Sequence, residues 1–135
     1  MNGRAFLDAS FWIVYREEKD GNHPVARRVM SELFRQRTCF VTTLPVACEI
    51  QAYFAREEHK RAMVLKDLFE NPLLTVENIS HQDQKGALEI LQLHRDKAYS
   101  LCDALSFIVM RRLNLKRAVA LDRHFRQFGE FEIIP

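Results

Sequence analysis

Arg4-Ala-Phe-Leu-Asp-Ala-Ser10, continued by Phe11-Trp-Ile-Val-Tyr15, is an apolar run cut by one acid and resumed as a second apolar run. The first run reads as a strand and the second as a helix, with Ser10 placed to cap it. Asp8 stands at the junction. The same arrangement returns near the other end, where the strand Arg117-Ala-Val-Ala-Leu121 stops at Asp122. A short helical turn, Arg123 to Phe128, then leads through Gly129 into a last strand, Phe131-Glu-Ile-Ile134.

Between these ends strands and helices alternate. Pro24 suits the first turn of a helix running to about Arg35, with Val25, Val29, Leu33 and Phe34 on one side. Cys39-Phe-Val-Thr42 reads as the second strand, and Thr43 or Thr42 caps a helix carrying Val46, Ala47, Ile50, Tyr53 and Phe54 on its apolar face. A helix from His59 to Asn71 is stopped by Pro72, and Leu73-Leu-Thr-Val76 is a third strand. Ser80, with Asp83 three residues on, opens a helix to about His94; Ser100 starts a strongly apolar one over Leu101 to Arg112. Such alternation predicts an α/β fold of three layers, α/β/α, around a mostly parallel central sheet. Ligands of such sheets bind beyond the carboxyl ends of the strands, where Asp8 and Asp122 both stand.

The 135 residues are expected to form one domain, 1–135, since four Gly and four Pro leave no linker-like stretch. Hydrophobic residues at 47% and charged residues at 28% are ordinary for a soluble protein. The net charge of +2 does not by itself mark a nucleic-acid binder. Short basic clusters such as Arg111-Arg112 and Lys116-Arg117 could follow a phosphate backbone, but singly they read as solvated faces. Cys39, Cys48 and Cys102 form no C-x-x-C and have no histidine at zinc-like spacing, so they read as reduced core residues. Neither a signal peptide nor an apolar run of membrane-spanning length is legible, and the cytoplasm is the expected location. Walker A and G-x-G-x-x-G motifs are both missing, which removes the common nucleotide-binding readings.

Each candidate acid has a structural alternative. Asp8 and Asp122 suit helix caps as well as catalytic acids. Asp103 sits in Ser100-Leu-Cys-Asp-Ala-Leu-Ser-Phe-Ile-Val-Met110, where Ser100 caps and Asp103 faces the positive helix end. A helix apolar on nearly every side is buried, however, and a buried carboxylate needs a partner such as a metal ion. Glu49 falls on the flank of its helix's apolar face and alone suits an exposed helix position. Carboxylates converging on one pocket raise one another's pKa unless cations neutralise them, and Mg²⁺ or Mn²⁺ suit all-oxygen donors. His124 adjoins Asp122 and reads as a surface histidine rather than a proton shuttle.

In order and context, these residues resemble the PIN-domain family, and within it the VapC-like ribonuclease toxins of toxin–antitoxin pairs. Phe6-Leu-Asp8-Ala-Ser10 is similar to the family's opening motif, Thr43 through Glu49-Ile50 to the second, Ser100-Leu-Cys-Asp103-Ala104 to the third, and Leu121-Asp122-Arg-His-Phe125 to the fourth. One position departs: the family often carries Thr or Ser two residues before the last acid, where this chain has Ala120. The resemblance implies a PIN-like fold and Mg²⁺- or Mn²⁺-dependent endonucleolytic cleavage of RNA, with tRNA as a candidate target. Asp8 and Asp103 would be the principal metal ligands, Glu49 and Asp122 would complete the cluster, and Ser10 would orient a carboxylate or contact phosphate. It further implies a homodimer and a small antitoxin partner. The competing readings are a catalytically silent RNA-binding or protein-interaction module on the same fold, and a phosphotransfer domain using Asp8. The second is disfavoured because Ser10 stands at the i+2 position where those folds usually carry an acid.

Overall fold

The computed structural model describes residues 3–135. Five strands, β1 (Arg4–Leu7), β2 (Cys39–Thr43), β3 (Leu74–Glu77), β4 (Arg117–Val119) and β5 (Glu132–Ile134), make one sheet in the order β3-β2-β1-β4-β5. Every pairing is parallel, so the expected mostly parallel sheet is parallel throughout. Parallel neighbours need crossovers. These are α1 (Ala9–Arg16) with α2 (His23–Arg35), α3 (Leu44–Tyr53) with α4 (Glu58–Glu70), α5 (His81–Leu93) with α6 (Leu101–Arg112), and the short α7 (Arg123–Phe128). No helix among the described residues is long and apolar enough to cross a membrane.

The strand order places a switch at the centre. The chain moves outward from β1 to β2 to β3, then returns to the far side of β1 with β4 and β5. Asp8 and Asp122, more than a hundred residues apart, therefore follow neighbouring strands. Their backbones are tied directly: the Asp8 amide donates to the Val119 carbonyl at 3.0 Å. The central strands are buried because helices cover both faces, and Ala5, Phe6, Leu7, Ala118, Val119 and Ala120 all lie in the core.

Two local expectations change and one open alternative is resolved. Asp8, not Ser10, is the N-cap of α1, and its side chain accepts the Ser10 amide. The apolar run therefore turns helical at Ala9, two residues earlier than the Ser10 cap implied. Thr43 rather than Thr42 caps α3, since Thr42 instead donates its hydroxyl to the Leu7 carbonyl at 2.7 Å, inside the core. Cys48 is exposed on α3, whereas Cys39 and Cys102 are half-buried; all three are free thiols. At Cys48 the helix turns its surface outward while Val46, Ala47 and Ile50 face the core.

Candidate metal centre at the sheet switch

Three carboxylates meet where β1 and β4 end. Asp8 is 6% exposed, Asp103 is 8% exposed and Asp122 is half-buried. Each arrives as part of a helix start, because the first turn of a helix leaves amides that carboxylates satisfy. Asp8 and Asp122 are the N-caps of α1 and α7. Asp103 closes a reciprocal capping box with Ser100, both bonds at 3.0 Å. The cap and active-site alternatives thus coincide at all three positions.

Capping occupies only one oxygen of each. Asp8 Oδ2 accepts both the Ser10 amide, at 3.1 Å, and the Ser10 hydroxyl, at 2.6 Å. Asp103 Oδ2 accepts the Ser100 amide, and Asp122 Oδ1 accepts the His124 amide at 2.7 Å. Among the described residues, no protein donor bonds Oδ1 of Asp8, Oδ1 of Asp103 or Oδ2 of Asp122. These oxygens carry no protein donor, but the ligand atoms within 4.8 Å of one another among the described residues are those of Asp103, Asp122 and His124, with Asp8 outside that group.

Ser10 binds the two halves of the site together. Besides donating to Asp8, its hydroxyl accepts the amides of Leu121 and Asp122 at 3.0 and 3.1 Å. A hydroxyl can donate once and accept twice, and here every capacity is used. Ala120 is fully enclosed, with its amide on the Ile134 carbonyl at 2.9 Å. The backbone beyond it is held from across the switch by Ser10, so the missing hydroxyl at 120 does not leave the Asp122 segment unsupported.

No Lys or Arg among the described residues pairs with these acids. The consequence shows at Asp8, whose pKa is pushed up to about 6 by burial. Its bonds from Ser10 hold it down, while the charges of Asp103 and Asp122 push it further up. Asp83 provides the contrast. It closes an identical Ser-x-x-Asp capping box at the start of α5, from Ser80, and is buried. Yet Arg112 grips it with two bonds of 3.0 Å. Burial pushes the Asp83 carboxyl up, but the guanidinium and the Ser80 bonds outweigh burial and hold it below the ordinary range. One box is a closed ion pair with a guanidinium; the other meets no Lys or Arg among the described residues, only the His124 ring.

His124 supplies the only basic nitrogen at the cluster among the described residues. Its Nδ1 lies 2.7 Å from Asp103 Oδ2 and 3.3 Å from Asp122 Oδ1. This overturns the surface-histidine reading: the imidazole is only 17% exposed. An aromatic bed holds it there. Tyr99 meets the ring edge-on at 5.6 Å, and Phe107 stacks on Phe128 of α7 at 4.1 Å. The sequence signal was available, since residue 124 lies two beyond an N-cap, where the helix start turns it back towards the capping acid. Gly129, with φ of +73°, terminates α7 in the left-handed region that glycine adopts without strain.

Glu49 is the outlier of the four predicted acids. It is exposed on α3. It reaches the cluster's surroundings through Cys102, whose thiol is pushed up by burial, then by Glu49 beside it, then by the charges of Asp8 and Asp103. Asp8, Ser10, Asp103 and Asp122 are brought together, with Glu49 at the rim.

A three-layer α/β/α protein with acids at the switch of a parallel sheet is the architecture of one nuclease-type fold, and the PIN domain model matches residues 5–130. The chain belongs to the PIN domain family. Among curated proteins it is similar to the 23S rRNA-specific endonuclease VapC20 of Mycobacterium tuberculosis, 28% identical over 131 residues covering 96% of this chain and 98% of that one. The crystal structure of M. tuberculosis VapC20, a sarcin–ricin-loop-cleaving toxin, superimposes with a TM-score of 0.86 at 26% identity, covering 97% of this chain and 99% of that chain. VapBC2 from Rickettsia felis, solved bound to a promoter DNA fragment, shares the fold, with a TM-score of 0.69 at 12% identity over 99% of this chain and 98% of that one. A toxin–antitoxin complex from Klebsiella pneumoniae does so at 0.67 and 13% over 97% and 96%.

Proposed function

We propose that this chain is a single PIN-like domain acting as a divalent-metal-dependent endoribonuclease, the toxin of a toxin–antitoxin pair. The observation that carries the reading is the uncompensated cluster of Asp8, Asp103 and Asp122, with Asp8 raised to about 6. A buried carboxylate whose charge is opposed by its neighbours binds a cation in place of a proton. Its free oxygens are hard donors that suit Mg²⁺ or Mn²⁺.

The donor set fits such an ion, with Asp8 and Asp103 as principal ligands and Asp122 and Glu49 completing the set directly or through water. The cation supplies Lewis-acid chemistry, activating water and offsetting charge on the phosphodiester. Ser10 fixes Asp8 against the Asp122 segment, so that the free oxygens keep their spacing. Ser100 and the helix start of α6 hold Asp103 in one rotamer.

The similarity to VapC20 makes a ribosomal RNA loop the better candidate substrate than the tRNA expected from the sequence. Action on RNA in the cytoplasm, inhibition by a small antitoxin and a homodimeric state complete the reading. The fold neighbours include antitoxin complexes. The silent-module alternative is disfavoured because a scaffold gains nothing from unpaired buried charge.

The test is to incubate antitoxin-free protein with intact ribosomes and, separately, with total tRNA, in Mg²⁺ or Mn²⁺, and to map new ends by primer extension. Discrete cuts in large-subunit RNA support the reading. Discrete cuts in tRNA alone move the substrate. The absence of cuts in either, with either metal, refutes the function.

A further inference from the structure

We infer that His124 is a direct nitrogen ligand of the site's divalent cation, completing with Asp103 and Asp122 a mixed nitrogen–oxygen face that favours Mn²⁺ over Mg²⁺. This rests on the metal-dependent reading above and adds to it a donor that an all-carboxylate site lacks.

The geometry is that of a ligand set. One donor atom from each of Asp103, Asp122 and His124 lies within 4.8 Å of the others. Around a six-coordinate cation with donors about 2.1 Å away, adjacent donors stand about 3 Å apart and opposite donors about 4.2 Å apart. His124 Nδ1 lies 2.7 Å from Asp103 Oδ2 and 3.3 Å from Asp122 Oδ1, oxygens that also accept helix-start amides and keep a lone pair each, so these three donors stand at the spacing of adjacent ligands.

The nitrogen is also aimed and held. The His124 amide donates to Asp122 Oδ1 at 2.7 Å, so backbone and ring converge on the same acid. Tyr99 packs edge-on against the imidazole, at an interplanar angle of 83°. Tyr99 is itself 8% exposed and rests on Phe107 and Phe128, which are part of the bed beneath α7. Without a cation Nδ1 donates its proton to Asp103 Oδ2; a bound cation takes the place of that proton, and the ring proton then sits on Nε2.

The chemical consequence is selectivity. Mg²⁺ holds oxygen donors and keeps its waters, whereas first-row ions accept imidazole more readily. Loss of His124 should therefore weaken Mn²⁺ binding by about tenfold or more, the scale of losing a well-placed group at a metal site. Mg²⁺ binding should change less, and the ratio of the two affinities should fall.

Pulsed electron paramagnetic resonance of Mn²⁺ bound to the intact protein reads the ligand directly, without any turnover. Wild type should show a ¹⁴N hyperfine coupling that becomes a ¹⁵N coupling when the protein carries ¹⁵N-labelled histidine. The signal should vanish in His124→Gln, with folding checked by circular dichroism. The labelled wild type decides the matter even if that variant does not fold, since His124 is the histidine that reaches the cluster. Bound Mn²⁺ with no histidine coupling overturns the inference and leaves the nuclease reading standing. No Mn²⁺ binding at all overturns both.

Discussion

Asp8→Asn should make the metal-free protein more stable while destroying its activity. Asp8 loses water on folding and faces two other acids, and its pKa moves from 3.8 to about 6. At about 1.4 kcal/mol per pH unit, that is about 3 kcal/mol of opposition to the charged form. A carboxyl raised on folding contributes stability that is fully present below the unfolded pKa and is lost as pH rises through the folded one. Wild type should therefore lose about 3 kcal/mol between about pH 3 and pH 7 through this residue, with a plateau above. Asparagine caps a helix as well as aspartate, and its carbonyl can accept both Ser10 bonds, so the substitution removes the charge and keeps the contacts. Thermal melts in chelator should show the variant about 10 °C above wild type at pH 8, at roughly 3–5 °C per kcal/mol for a domain of this size. The gap should close at pH 4. Saturating Mn²⁺ should raise the wild-type midpoint more than that of the variant. A variant less stable than wild type at pH 8, or one stabilised equally at pH 4, would refute the electrostatic reasoning.

Ser10→Ala removes a hydroxyl that spends all its bonding capacity inside the site and strands the Leu121 and Asp122 amides. It should cost about 1–3 kcal/mol in denaturant unfolding and lower Mn²⁺ affinity about tenfold by calorimetry. Asp83→Asn breaks the closed ion pair and leaves Arg112, which is 38% exposed, without its main partner. Screening limits the loss to about 1–3 kcal/mol, and cleavage per folded molecule should be unchanged. Glu49→Gln, at an exposed rim position, should reduce cleavage much less than loss of Asp8 or Asp103 does, with no change in the melting midpoint.

The sequence displayed the end of β1 well because its apolar run is short and stopped by Asp8, whereas the run read as a strand to Leu121 leaves the sheet at Val119. The order β3-β2-β1-β4-β5 is a tertiary choice, yet the rule that ligands lie beyond strand ends found Asp8 and Asp122 without it. Asp83 and Asp103 show where local pattern runs out. Both close a Ser-x-x-Asp box, and only the approach of Arg112 from another helix tells the structural acid from the uncompensated one. The greasiness of the Asp103 helix pointed the right way, since an all-round apolar helix is buried. His124 was misread for the same reason: a ring beside basic residues looks exposed until Tyr99 and α6 close over it. Ser10 does not cap α1, but its hydroxyl does orient a carboxylate, as the resemblance implied; its bonds to the amides of residues 121 and 122 were illegible because they span the whole chain.

The central claim is that the acids at the sheet switch cut RNA through a bound divalent cation. The most direct measurement is single-turnover cleavage of a labelled target RNA by purified antitoxin-free protein, comparing wild type, Asp8→Asn and Asp103→Asn in Mn²⁺ and in chelator. Wild type with metal should cleave, chelator should abolish cleavage, and each variant, though folded, should fall by at least about 100-fold. Undiminished cleavage in chelator, or by either variant, would contradict the account.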